Sequence, residues 1–269
     1  MDPVLHASNI MERLALTDRS CLITGAGSGI GRAIAHAVAD AGGRLALVDI
    51  NGENTETIRS EILSRNPQAY VTVLVADVTD PQQVEGVIAA ASQELGGLDV
   101  AYNNVGVGQW VGALDMPYED FQRMFRINVD SVFLGAVAQA KIMKEKGYGK
   151  IVNTASISGY IANHPQAQAH YNASKSAVMG LTRSLAVEWA PFGIRVNSFS
   201  PTYTRTKLVE NFLQTPQGQE MYPTWMQMTP MKAMADPTDL QGAAVFLGSA
   251  ASDFMTGTDV VIDGGYLSF

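Results

Sequence analysis

Seven short apolar runs are spaced along the chain: CLITG, RLALVDI, YVTVLVADV, LDVAYNNV, KIVNTAS, IRVNSFSP and DVVIDGG. They are rich in β-branched residues and show little polar alternation, the pattern of strands covered on both faces in a parallel sheet. Between them lie segments of helical character near 29–41, 53–65, 81–95, 120–146, 171–190 and 238–249. Alternation of this kind predicts right-handed βαβ crossovers and a doubly wound, Rossmann-type α/β fold with a seven-stranded parallel sheet. No repeat, low-complexity tract or linker divides the chain, so 1–269 reads as a single domain, with 1–18 as an N-terminal extension. One stretch breaks the rhythm. Thr202 to Asp236 holds Pro216, Pro223 and Pro230 among Phe212, Trp225, Met226, Met228, Met231 and Met234. It reads either as a lid with an adaptable apolar face or as a helical excursion packed on the body.

Charge narrows the function. Eighteen Lys and Arg face 26 Asp and Glu, for a net charge of −8, and no basic block is present. That excludes a nucleic-acid surface and points to small-molecule chemistry. The first 18 residues contain Asp2 and Glu12 and lack a basic start followed by an apolar run, unlike a signal peptide. No apolar run reaches the ~18 residues of a membrane helix. A cytoplasmic protein is expected. Cys21 is the only cysteine, which excludes an intrachain disulfide and favours a buried, inert thiol; no metal site is expected.

TGAGSGIG at Thr24 to Gly31 follows the strand-like CLIT and opens the helix at Ile30, and Asp49 closes the next apolar run. Gly25, Gly29 and Gly31 would admit a pyrophosphate to the backbone amides at the helix start. Asp49 would accept hydrogen bonds from an adenosine ribose and repel a 2′-phosphate, with no Lys or Arg in Ala26 to Ser28 or Ile50 to Asn54 to offset it. NAD is therefore expected over NADP. Asn51 and Gly52 leave open a plain turn-capping role for Asp49.

A second string, YNASK at Tyr171 to Lys175, sets a phenol and an ammonium four residues apart on one helix face. Together with Asp77, NNVG at Asn103 to Gly106, Asn128, Ser156 and the Pro201 segment, it resembles a short-chain dehydrogenase/reductase from about Arg19 to Tyr266. The resemblance implies Tyr171 as general acid/base and Lys175 as its partner. It implies Ser156 as the hydrogen-bond donor to the reacting oxygen, and Asn128 as the holder of a water that relays protons to the lysine. The cofactor contacts it implies are Gly25, Ser28, Gly29, Ile30, Gly31, Asp49, Ile50, Asp77, Val78, Asn104, Val105, Gly106, Tyr171, Lys175, Pro201, Thr202, Thr204 and Thr206. It also implies a homotetramer built through segments 120–146 and 171–190, which are apolar beyond a single face.

Three departures from the family pattern stand out. Thr202 follows Pro201 where Gly is usual, and Val105 replaces a small Ala. The interval from Ser156 to Tyr171 is about two residues long, which leaves Ser158 as a rival serine. Ser156 is preferred because it ends KIVNTAS, where the family's strand ends.

The intervening run YIANHPQAQAHYNASK resembles the polyol and ketose dehydrogenases of the family. It suggests a polar wall for a hydroxyl-rich substrate, with Ser156, Ser158, His164, Gln166, Tyr171 and Tyr203 as substrate contacts. The same residues also read as a solvated loop. Two alternatives remain. The apolar lid would suit steroids, 3-oxoacyl thioesters or other apolar ketones, and a non-catalytic NAD-sensing protein would keep the fold without turnover.

Overall fold

A computed structural model describes residues 9–268. The first eight residues of the expected N-terminal extension lie outside this range. All seven expected strands form: β1 (Ser20–Thr24), β2 (Arg44–Asp49), β3 (Val71–Val75), β4 (Val100–Asn103), β5 (Gly149–Thr154), β6 (Ile194–Pro201) and β7 (Asp259–Ile262). They make one parallel sheet in the order β3-β2-β1-β4-β5-β6-β7. The order reverses between β1 and β4, so a crevice opens there at the carboxyl ends of the strands, where doubly wound sheets bind ligands.

Ten helices accompany the strands among the described residues: α1 (Ile10–Leu14), α2 (Gly29–Asp40), α3 (Gly52–Arg65), α4 (Pro81–Leu95), α5 (Tyr118–Phe125), α6 (Ser131–Lys146), α7 (Ala169–Trp189), α8 (Lys207–Leu213), α9 (Pro216–Met228) and α10 (Gln241–Gly248). Local chemistry sets their ends. The Asp80 carboxylate caps α4 by accepting from the Gln82 and Gln83 amides, Pro81 opens the helix, and Gly96 in the left-handed region closes it. The core divides at the sheet because neighbouring strand residues point to opposite faces. Leu22, Ala46 and Val48 pack with α4 and α6 on one side, and Cys21, Ile23, Leu45 and Leu47 pack with α2 and α10 on the other. Burial raises the pKa of the Cys21 thiol, in keeping with an inert core residue.

The expected helix 120–146 is two helices, joined through a wide π turn at Arg126–Asp130 that contains Asn128. The segment 202–236 forms α8 and α9. Its apolar residues pack inward, with Trp225 fully buried and Phe212 and Met234 nearly so, which fits the helical excursion of the two readings. No helix among the described residues is long and apolar enough to cross a membrane.

At the amino end of β5, remote from the crevice, Lys150 is buried with its Nζ 2.9 Å from Asp253 Oδ1 and donating to Ser252 Oγ at 2.8 Å. Burial lowers its pKa to about 8, against the upward pull of Asp253. Removing one partner leaves the other charge buried and unpaired, which costs far more than the pair contributes. Asp253→Ala is expected to destabilise the fold by about 3 kcal/mol in chemical or thermal denaturation; a loss below about 1 kcal/mol would contradict this account.

Candidate active site

A cavity of about 540 Å³ fills the crevice. It runs from the ends of β2 and β3 across the glycine turn to the ends of β5 and β6. At its first end stand Asp49, Ile50, Asp77 and Val78. Asp49 Oδ2 accepts from the Gly27 amide at 2.9 Å and Oδ1 from the Asn51 amide at 3.0 Å, which fixes the carboxylate at the rim. Asp77 Oδ1 accepts from both the amide and the hydroxyl of Thr79, which leaves Oδ2 unengaged beside the cavity.

Gly25, Ser28, Gly29 and Ile30 form the middle of the floor. Gly25 and Gly29 adopt φ of 65° and 51°, a region side chains rarely enter. Gly31, expected as a cofactor contact, does not line the cavity. A Cβ there would stand 2.0 Å from the Gly25 carbonyl oxygen, so its role is to let α2 close against the turn. Asn104 clasps the same turn, donating to Gly25 O at 3.3 Å and accepting from Thr154 Oγ1 at 3.2 Å. Val105 and Gly106 line the wall beside it. From the opposite side, Thr206 brings its methyl to 3.1 Å from where a Gly29 Cβ would stand. Pro201, Thr202, Tyr203 and Thr204 complete that wall. The continuous floor and the glycine-rich turn fit an elongated dinucleotide.

At the far end, Ser156 and the half-buried Tyr171 meet within hydrogen-bonding reach. Burial raises the phenol pKa and the Ser156 contact opposes that shift. One helical turn on, Lys175 Nζ is buried and donates to the Thr154 carbonyl at 2.8 Å. Burial without a carboxylate partner lowers its pKa to about 8, so the ammonium form persists at neutral pH. Asn128 stands one layer behind the cavity rather than on its surface. Its Oδ1 accepts from the Val107 amide at 2.8 Å, and its Nδ2 donates to the Val107 carbonyl at 3.0 Å and to Ser174 Oγ at 3.0 Å. A Cβ on Gly106 would stand 3.4 Å from both Asn128 Oδ1 and Lys175 Nζ, so these two groups converge on one backbone position.

Three expected substrate contacts lie elsewhere. Ser158 is buried away from the cavity and accepts from Gln168 Nε2 at 3.3 Å. His164 is exposed and off the cavity wall. Gln166 is buried, and both ends of its amide are engaged, Nε2 donating to Tyr203 Oη at 2.7 Å and Oε1 accepting from Trp225 Nε1 at 2.9 Å. The polar wall is therefore a fastening for α9, with Trp225 stacked on Tyr203 at 4.1 Å. The sequence reading missed Val107, Gly108, Arg126, Lys207, Leu208 and Val209, all of which line the cavity. The first two directly follow NNVG, and that adjacency was the available signal.

The family profile described as enoyl-(acyl carrier protein) reductase matches residues 25–267. The chain belongs to the short-chain dehydrogenase/reductase family. It is 37% identical over 262 residues to a probable NADP-dependent mannitol dehydrogenase of Yarrowia lipolytica, covering 97% of this chain and 91% of the relative. A galactitol 2-dehydrogenase (L-tagatose-forming) of Cereibacter sphaeroides is also 37% identical, covering 93% and 95% of the two chains. A short-chain type dehydrogenase/reductase structure from Mycobacterium marinum superposes with a TM-score of 0.91 at 42% identity, covering 96% of this chain and 99% of the other. Members of this family are dehydrogenases and reductases that act on CH–OH groups.

The two serines differ in what their hydroxyls face, which gives an asymmetric expectation. Ser156→Ala should lower kcat by about 100-fold or more, the scale of losing one donor to a developing oxyanion. Ser158→Ala should stay within about threefold of the parent, since it loses only the contact with Gln168. Steady-state kinetics on both variants would check this; equal losses would contradict it.

Proposed function

We propose that the chain is an NAD-dependent oxidoreductase that interconverts a secondary alcohol of a polyol and its ketose. The observation that carries this reading is the convergence of Tyr171, Ser156 and the buried Lys175 ammonium at one end of a cavity whose other end is fixed by Asp49. Bound there, NAD would supply the hydride acceptor. In oxidation Tyr171 Oη takes the proton of the alcohol, and in reduction it returns it to the ketone oxygen, which Ser156 Oγ holds in place. Lys175 favours the phenolate by placing a positive charge one helical turn away. Val107, Leu208 and Val209 close the far end with apolar surface that keeps water from the reacting atoms.

Support for a polyol comes from the mannitol and galactitol dehydrogenases among the relatives. The same apolar residues favour a second reading, a compact apolar ketone. Choice of NAD rests on Asp49, whose carboxylate would face a 2′-phosphate. Two such charges ~4 Å apart repel by about 4 kcal/mol at an effective dielectric of 20. The Yarrowia relative's name specifies NADP, so this residue must decide the matter in the present chain. Assembly as a homotetramer is part of the proposal, supported by the exposed Phe121, Phe133 and Val187 on α5, α6 and α7. Static light scattering should give the mass of four chains, and a monomer would refute it.

A panel of polyols, ketoses and simple secondary alcohols, scored by NADH absorbance, tests the reaction. kcat/KM with NAD should exceed that with NADP by about 100-fold or more; comparable values would remove the role given to Asp49. Tyr171→Phe should abolish turnover while NADH still binds within about threefold of the parent affinity, because the change deletes the proton and little contact surface. Retained turnover would refute the mechanism.

A further inference from the structure

Tyr203 lines the cavity together with Tyr171, and its hydroxyl sits in a hydrogen-bond network that the proton transfer does not use. Its ring is held on two sides, with one face stacked on Trp225 at 4.1 Å and Tyr266 meeting it edge-on at 5.8 Å. Two side-chain amides approach its oxygen. Gln166 Nε2 donates to Tyr203 Oη at 2.7 Å, and Asn163 Nδ2 makes a longer contact at 3.4 Å.

Neither amide can be turned round without losing a bond. An indole nitrogen only donates, so the 2.9 Å bond from Trp225 Nε1 keeps the Gln166 carbonyl oxygen on its side and leaves the NH2 group for Tyr203. The second amide is fixed through a longer chain that starts at a backbone carbonyl, which only accepts. Asn172 Nδ2 donates to Ile161 O at 3.3 Å, so Asn172 Oδ1 accepts from Gln168 Nε2 at 2.8 Å, and Gln168 Nε2 also donates to Asn163 Oδ1 at 3.0 Å. That leaves Asn163 Nδ2 for Tyr203. Tyr266 is the third neighbour: burial raises its pKa and Tyr203 raises it further, as expected of a hydroxyl whose proton points toward the Tyr203 oxygen.

A phenol that accepts on every side still has its own proton to place. Tyr203 Oη donates to none of the described residues. Trp225, Tyr266 and the two amides cover the other directions, which leaves the cavity as the open one. Donors gathered on one hydroxyl oxygen also polarise its O–H and strengthen the bond it gives. Tyr171 stands near enough to sense this group, since burial raises the Tyr171 pKa and Tyr203 adds to the rise.

We propose that the Tyr203 hydroxyl is a second hydrogen-bond donor to the substrate, directed at an oxygen other than the one that reacts at Ser156 and Tyr171. The substrate class is then an alcohol or ketone that carries at least one further hydroxyl or carbonyl oxygen, as a polyol does and a simple apolar ketone does not. This deepens the proposed function and rests on its placement of the reacting oxygen.

The test compares 2-butanol with 2,3-butanediol and 1,3-butanediol, which add one hydroxyl to the same four-carbon chain, in NAD-linked oxidation. The parent enzyme should favour one or both diols by about tenfold or more in kcat/KM, the scale of a hydrogen bond whose partner is otherwise left unmatched. Tyr203→Phe should cut that preference to about twofold or less, chiefly through KM for the diol, because a bond to a non-reacting oxygen forms in the bound substrate as well as in the transition state. A merely structural role would lower both kinds of substrate alike and keep the preference. Should Tyr203→Phe fail to fold, Gln166→Glu takes its place: at pH 9 the carboxylate still accepts from Trp225 and draws the Tyr203 proton to itself, so the preference should fall in the same way. Equal kcat/KM for butanol and diols in the parent, or a preference that survives the variant, would overturn the Tyr203 contact and leave the oxidoreductase reading standing. If a hexitol turns over and none of the three shorter alcohols does, Tyr203→Phe should raise the hexitol KM by about tenfold, and an unchanged KM would overturn the contact. No turnover of any of the four would overturn both.

Discussion

A buried ammonium organises the active end of this molecule. Lys175 Nζ is out of solvent and has no carboxylate beside it, a placement whose desolvation cost is offset by the hydrogen bond to the Thr154 carbonyl at 2.8 Å. That bond ties the middle of α7 to the last residue of β5, and so sets where Tyr171 stands relative to Ser156, two residues beyond the strand. The ammonium also crowds Gly106, at which Asn128 arrives from the π turn. A strand end, a helix and a loop are thus positioned by one charge that cannot move without losing its hydrogen bond to Thr154. Under the proposed mechanism the same charge would favour the Tyr171 phenolate.

How much of this was legible in the sequence depends on how local the cause is. Strands were readable because a doubly covered parallel strand must be apolar almost throughout, and β1 to β7 fall where the apolar runs lie. Glycines at 25 and 29 were readable because only they enter the left-handed region cheaply. The pairing of Ser156 with Tyr171, rather than Ser158, followed from the strand end. The π turn at Arg126–Asp130 was not readable, since its residues have ordinary helical character and the extra residue per turn answers to packing around Asn128 and Val107. Pro223 lies inside α9, a position that proline disfavours. The helix forms because Trp225, two residues on, is held by Gln166, Tyr203 and Phe212.

The polar run from Asn163 to Gln168 shows the limit most plainly. Its amides do what amides do, but sequence alone does not say for whom. Gln166 spends its donor on Tyr203 and its acceptor on Trp225, and Gln168 spends its donors on Ser158, Asn163 and Asn172. A buried amide that meets a protein partner on each side has little left to offer a ligand, and breaking such a bond to bind one would cost roughly what the new bond returns.

Polarity near this site therefore goes into shape. The amides hold Trp225, Trp225 carries Phe212, Phe212 stacks on Trp110, and the loop after β4 is gripped on both sides of Gly108, by Asn128 at Val107 and by Phe212 at Trp110. What remains facing the cavity beside Ser156, Tyr171 and Tyr203 is the surface of Val107, Gly108, Leu208 and Val209, carried by the loop after β4 and by α8.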